Sequence, residues 1–423
     1  MKIFKFGGAS VKDAGAVKNV AEIIRLFPSD NLVIVISAMG KTTNALEKLA
    51  EAFFFKKDDP VKILTEIKGF HLAILSELFP DKTHPVYDEI HNTFVELEWA
   101  TEDEPSGDFD REYDQIVSVG EILSTRIVSA YLNSAGVNAQ WRDVRDFIKT
   151  DNTYREGKVD WDLTEKAVDA SLVPFFTEKK GKIVVTQGFL GVTSENYTTT
   201  LGREGSDYTA AILAWCTNAE SVTIWKDVPG VLNADPKWFD DTRLIPRLTY
   251  QDAIELTYYG ATVIHPKTIK PLQNKNIPLF VRSFLDPAKE GTKIHDAHVP
   301  LPIPCFIFKV NQVLLSISPK DFSFIVEENL GDIFDYFAEF RVKINVMLNS
   351  AISFSVSVDS DEKKLPKLID RLKENFRVLY NENVELVTIR YYDQPTIDRV
   401  TTAKQVLLEV KSRYTTQIVM KNR

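Results

Sequence analysis

The sequence predicts an α/β protein: a mostly parallel sheet sandwiched by helices, followed by a smaller α+β region. Three observations predict it. Short apolar strands alternate with segments of helical spacing through residues 1–285. Leu32–Ile36 is an unbroken apolar run, as in strands covered on both faces of a parallel sheet. Around 286–304 the composition shifts to Pro287, Gly291, Pro300, Pro302 and Pro304, a linker signal, and a new strand–helix pattern follows.

The elements follow in order. Phe4–Phe6 reads as a strand. From Asp13, Val17, Val20, Ile24 and Phe27 keep helical spacing until Pro28. After the strand Leu32–Ile36, residues 43–135 read as a helical insertion broken near Pro60, Pro80, Pro85 and Pro105, with Thr101–Pro105 as an acidic loop. Strands return at Lys182–Thr186 and Ser221–Trp225, with a helix Tyr208–Trp215 between them, and Pro278–Arg282 closes the pattern. Beyond the linker, strands are expected at 313–318, 344–347, 352–358, 384–389 and 415–420. Helices are expected at 327–340, 361–376 and 396–410. That is one βαββα unit and a shorter β-α-β echo, a second region spanning 305–423.

Bulk composition narrows the function. A chain of 423 residues holds two or three domains, and 44% apolar content builds real cores. A formal charge of −9, from 51 basic and 60 acidic residues, argues against nucleic acid as the main partner. Cys216 and Cys305 alone build neither a disulfide framework nor a thiolate site, which points to a reducing compartment. The amino terminus has no signal-type apolar stretch, and no run approaches membrane-spanning length, so a cytoplasmic protein without a membrane partner is expected. The six histidines lack metal-ligand spacing, and no protein metal ligand is assigned.

The chemistry gathers at glycine-rich turns. Lys5 stands two residues before Gly7-Gly8, where backbone N–H groups can approach an anion and the lysine adds a point charge; a plain tight turn is the alternative. Ser37, Thr43 and Asn44 follow the second strand as short polar groups, either for an anion or for helix capping. Gly40-Lys41-Thr42 imitates the end of a P-loop, but Val35 stands where that motif needs its first glycine. Glu121 falls among apolar neighbours. It needs a positive partner: an ammonium ligand, or a protein arginine such as Arg126 or Arg111. Phe189 follows the turn Gln187-Gly188. Arg203, Ser206 and Asp207 sit between glycines and a helix start. Arginine grips carboxylates, and an aspartate beside a phosphate site calls for Mg²⁺ or a lysine, unless it merely caps the helix. Lys226, Asp227 and Lys237, around the Pro229-Gly230 turn, can line a nucleotide. His265 before Pro266 reads as structural.

In order, Lys5–Val11, Ser37-Ala38 with Thr43-Asn44, Gly120-Glu121 with Ser124, Gln187–Phe189, Gly202–Tyr208, Trp225–Gly230 and Gly260–Pro266 resemble the aspartokinases of the amino-acid kinase superfamily. The region 305–423 looks like an ACT-type regulatory region with a short second unit. The resemblance implies an amino-acid-kinase-like fold and phosphorylation of the β-carboxylate of L-aspartate by ATP with Mg²⁺, opening the lysine, threonine and methionine route. It implies that Lys5 neutralises the transferring phosphoryl group, Gly7 and Gly8 cradle it, and Asp207 orients Lys5. Arg203, Ser206 and Thr43 would hold the substrate, Glu121 its ammonium, and Phe189 its pocket. Ser37, Lys226, Asp227 and Lys237 would serve the nucleotide. Ala9, Leu232, Lys237 and Thr262 depart from the family's usual threonine, tyrosine, arginine and lysine, and Lys226 or Lys267 is a candidate replacement for the last. Asn345 stands in place of an aspartate that feedback-sensitive relatives use for a lysine ammonium, whereas Ser350 is kept, so weak or altered lysine feedback is expected from any amino-acid effector. A homo-oligomer is expected because ACT-like modules commonly pair across subunits. The competing readings are a kinase of glutamate or acetylglutamate, and an inactive amino-acid sensor.

Overall fold

A computed structural model describes residues 1–102, 104–177, 181–261, 264–296, 303–321 and 323–422. Asp103, Thr262, Val263, Pro300 and Pro302, named above, lie outside them. The chain forms two compact units. The first comprises Met1–Val231, Pro246–Ile254 and Val263–Val299; the second comprises Leu232–Ile245, Glu255–Thr262 and Pro300–Arg423.

In the first unit the order is β1 (Lys2–Phe6), α1 (Ala14–Arg25), β2 (Leu32–Ile36), α2 (Thr42–Phe55), α3 (Pro60–Leu78), α4 (Val86–Glu102), α5 (Phe109–Val117), α6 (Val119–Ser134), β3 (Ala139–Trp141), α7 (Trp161–Ser171), α8 (Val173–Thr177), β4 (Ile183–Gln187), β5 (Leu190–Val192), β6 (Thr198–Thr200), α9 (Gly205–Thr217), β7 (Ser221–Lys226), β8 (Arg247–Leu248), α10 (Tyr250–Tyr259), α11 (Pro266–Asn274), β9 (Leu279–Ser283) and β10 (Thr292–Ile294). The unit boundary falls within α10. Local chemistry explains the starts. Asp13 caps α1 by accepting from the Ala16 N–H at 2.7 Å. Pro60 opens α3, with Asp59 capping Val61 and Lys62, rather than interrupting a helix.

Eight strands form the main sheet in the order β3-β4-β2-β1-β7-β9-β10-β8. All neighbouring pairs are parallel except β9 and β10. Strands β1 and β2 are buried along almost their whole length, as the unbroken apolar run predicts. Phe4, Phe6, Ile34, Ile36 and Val185 pack on one face against α1–α6, so the helical insertion supplies one side of the sandwich. Helix α9 lies against β1, β2 and β7 and is flanked by α7 and α11. The stretch read as linker carries β10, which pairs with β9 and β8.

Register positions the site. Phe6 pairs with Ile36 and Trp225, and Ile36 pairs with Gln187. Four adjacent strands therefore end abreast, and the turns after them start from a common rim. Open α/β sheets bind ligands at that end.

The second unit is built around an antiparallel sheet, β12-β13-β11-β14-β16-β15. Its elements are β11 (Cys305–Pro319), α12 (Glu327–Glu339), β12 (Ile344–Asn349), β13 (Phe354–Asp359), α13 (Leu365–Asn375), β14 (Phe376–Arg390), α14 (Gln394–Thr401), β15 (Lys404–Lys411) and β16 (Thr415–Asn422). Ile333 and Phe337 of α12 and Leu368 and Leu372 of α13 pack on Val313, Leu315, Val356 and Val358. Ile397 and Val400 of α14 cover Val387, Ile389, Ile418 and Met420. One expectation is corrected here. The helix expected over 396–410 stops at Thr401, and 404–411 forms a strand paired with β16. The echo is thus β-α-β-β. It shares one sheet with the first module because β11 and β14 are each 15 residues long.

Candidate active site

A cleft of about 970 Å³ opens at the rim where β1, β2 and β4 end. Lys5, Ser37, Thr43, Glu121, Phe189, Arg203 and Ser206 line it together, although 201 positions separate the first from the last. Alternation along β1 turns Phe4 and Phe6 into the core shared with the insertion helices and Lys5 to the opposite face, where α9 lies. There the Lys5 ammonium meets Asp207 Oδ1 at 2.6 Å. Asp207 is fully buried in the first turn of α9, where the helix dipole favours a negative charge. Lys226 Nζ stands 3.9 Å from Asp207 Oδ2, so a second cation faces the same carboxylate. Of the two partners proposed for an aspartate here, the chain itself supplies the lysine.

Glu121 is 2% exposed. One oxygen, Oε1, accepts from the Ala38 N–H at 3.1 Å, and Oε2 has no partner. Burial pushes its carboxyl up to about 8, against the pull of the Ala38 bond and of Lys5. The protein arginines do not answer it: Arg126 pairs with Glu89 and Arg111 lies by Glu112. A buried carboxylate left unpaired on the wall of a cleft is suited to a cationic ligand.

Phe189 (φ 71°) and Glu204 (φ 55°) both adopt the left-handed conformation without being glycine. Their main chains are held: the Phe189 N–H donates to Thr209 Oγ1 at 2.9 Å, and its carbonyl accepts from the Leu201 N–H. Such backbone conformations persist where the surroundings over-determine them. Gly188 is required by close packing, since a Cβ there would lie 2.4 Å from Ser206 Cβ. At Gly8 a Cβ would meet the carbonyls of Gly40 and Ala38 within 3 Å, so this glycine lets two rim loops touch. A side chain on Gly7 would come within 3.3 Å of Lys5 Nζ and cover the ammonium. Asp227 is exposed just past β7. Lys237 belongs to the second unit, in a turn where Asp235 accepts its N–H. Leu232 is also in that unit, and Lys267 is exposed in the first turn of α11. His265 caps α11 through its ring nitrogen, the structural role its setting implied.

The cleft also contains residues that no sequence signal marked: Glu47, Asp110, Tyr113 and Arg155. The Arg155 guanidinium lies 4.2 Å from the Tyr113 ring centroid, 3.3 Å from Asp110 and 3.8 Å from Glu47. The Arg155 backbone N–H donates to Asp114 Oδ2 at 2.9 Å, and Asp114 also accepts from the N–H and hydroxyl of Thr200. A positive φ at Arg155 (65°) carries no sequence signature when the residue is not glycine.

The model of the amino acid kinase family matches residues 1–283. Aspartokinase 2, chloroplastic, of Arabidopsis thaliana is 32% identical over 386 residues, covering 88% of this chain and 69% of that protein. Lysine-sensitive aspartokinase 3 of Escherichia coli (strain K12) is 30% identical over 396 residues, covering 92% and 86%. Among solved structures, E. coli aspartokinase III with lysine and aspartate in the T-state has a TM-score of 0.83 at 27% identity, covering 99% of this chain and 95% of that one. The R-state of the same enzyme, with aspartate and ADP, has a TM-score of 0.79, also at 27% identity, covering 99% and 96%.

Proposed function

The chain belongs to the amino acid kinase family and, within it, to the aspartokinases, and from that premise we infer how its cleft divides the work. It is an aspartate kinase, forming 4-phospho-L-aspartate on the route to lysine, threonine and methionine. In this reading ATP is the donor. A β-carboxylate oxygen of aspartate bonds to the γ-phosphorus as the bond to the bridging oxygen breaks and ADP leaves. The acceptor is already an anion, so no general base is needed and no proton moves. Alignment and charge neutralisation are what the protein must supply.

Lys5 supplies the charge, and Asp207 positions it. Gly7 leaves the ammonium open toward the phosphates, so the residues present fit a nucleotide phosphate. Among the described residues no three acidic, cysteine or histidine side chains converge as a metal cage. Mg²⁺ would therefore be held chiefly by phosphate oxygens, where it neutralises charge. Arg203 grips a substrate carboxylate, with Ser206 and Thr43 beside it. Glu121 receives the ammonium and Phe189 closes the pocket. Ser37, Gly8, Lys226 and Asp227 serve the nucleotide side, and Lys237 is retained as a nucleotide candidate. The second unit is read as the regulatory region, binding an amino-acid effector and pairing subunits in a homo-oligomer. Among the described residues no helix is long and apolar enough to cross a membrane; a cytoplasmic location is part of this proposal.

The observation that carries the site assignment is that Lys5, held at 2.6 Å by Asp207, lines the cleft together with Glu121, whose Oε2 has no partner. The test traps the acyl phosphate with hydroxylamine. Aspartyl hydroxamate should form only with ATP and L-aspartate together. Lys5→Ala should lower kcat by about 10²–10³, with Lys5→Arg reporting on a variant that keeps the charge beside Asp207. An undiminished kcat in folded Lys5→Ala, or preference for glutamate, refutes the assignment.

A further inference from the structure

A second cavity, of about 500 Å³, lies in the first unit between α2 and α3. The proposed reaction makes no use of it. Its size falls in the range of small-molecule sites, and its lining follows their usual composition, an apolar surface with a few convergent polar groups. Ile63, Ile67 and Phe70 of α3 provide the apolar wall; their spacing puts them on one helix face. On the facing side Lys41, just before α2, and Lys48, within it, bring two ammonium groups to the rim. Neither is held in an ion pair among the described residues. The acid on the rim is Glu66, so the opening carries a positive excess.

We propose that this cavity is a ligand site for a small apolar carboxylate, with its hydrocarbon body on Ile67 and Phe70 and its carboxylate between Lys41 and Lys48. The charge balance selects an anion, and the apolar wall selects a body without further polar groups. The site differs from the catalytic cleft, although Asn44 borders both.

The test titrates hydrocinnamate into the full-length protein by calorimetry. Hydrocinnamyl alcohol serves as a neutral probe of the same shape. The expected result is saturable binding of the carboxylate that persists under saturating L-aspartate. The alcohol should bind about tenfold more weakly, as should the carboxylate to Lys48→Glu. Lys48 is exposed, so its replacement leaves the core intact; Phe70→Ala tests the apolar wall and should also weaken binding. The proposal is overturned by absence of saturable binding, by equal affinity for acid and alcohol, or by competitive displacement with aspartate, which would place the probe in the catalytic cleft. Burial of this face by a second copy of the chain would show as no binding and as an oligomer that Lys48→Glu dissociates, and would equally overturn it.

Discussion

Glu121 combines burial with one satisfied and one unsatisfied oxygen, and that has a measurable cost. With its carboxyl pushed up to about 8, it carries a proton in the empty cleft at neutral pH. An ammonium ligand needs the ionised form, so binding releases a proton. The KM for aspartate should therefore fall as pH rises, by roughly tenfold per unit well below pH 8, and level off above it. Initial-rate series across that range check this; a flat KM would separate Glu121 from the ammonium. The same group sets a stability slope of known sign. Its folded pKa lies above its unfolded one, so between the ordinary glutamate value and about 8 the folded state holds a proton that the unfolded chain has lost. Stability from this group falls as pH rises through that window, by at most about 1.4 kcal/mol per unit. Glu121→Gln should flatten that part of the unfolding-versus-pH curve while raising the KM for aspartate.

At the scale of elements, Asp114 ties three pieces of the cleft wall. It sits on α5, is buried, and accepts from Arg155 and Thr200. Asp114→Ala leaves those donors unanswered and should cost roughly 3 kcal/mol in denaturant unfolding. It should also raise the KM for aspartate, because Arg155 and Thr200 line the cleft. The sheet, the insertion helices and the residues at the strand ends were legible in the sequence. Buried parallel strands are unbroken apolar runs, and rim loops carry glycines that can be recognised without a fold. What could not be read has physical reasons. Val406, Leu407 and Val410 satisfy helical spacing while Val406, Leu408 and Val410 satisfy strand alternation, and only pairing with β16 decides for the strand. Polar residues in the middle of β11 and β14, Lys309, Asn311 and Gln312 in the one and Asn381 to Asn383 in the other, interrupt the alternation, so half of each strand read as loop. Arg155 reaches the cleft from a turn that has no apolar pattern at all.

For the whole molecule, the regulatory reading rests on a polar cluster in the second unit. Lys309 Nζ donates to Asn345 Oδ1 at 2.7 Å, while the Asn345 amide donates to Gln312 Oε1 and Asp359 Oδ1. An ammonium of the chain's own thus occupies the Asn345 acceptor. Millimolar L-lysine should leave the initial rate of the full-length enzyme unchanged; sharp inhibition would show that Asn345 and Lys309 do not set the response. The length of β11 and β14 has its own consequence. Because both run the full height of that sheet, the two halves are joined by a pair of continuous beams. Between these two strands the register breaks only from Lys309 to Leu314, so one irregular stretch near the middle is all that separates two otherwise regular ladders.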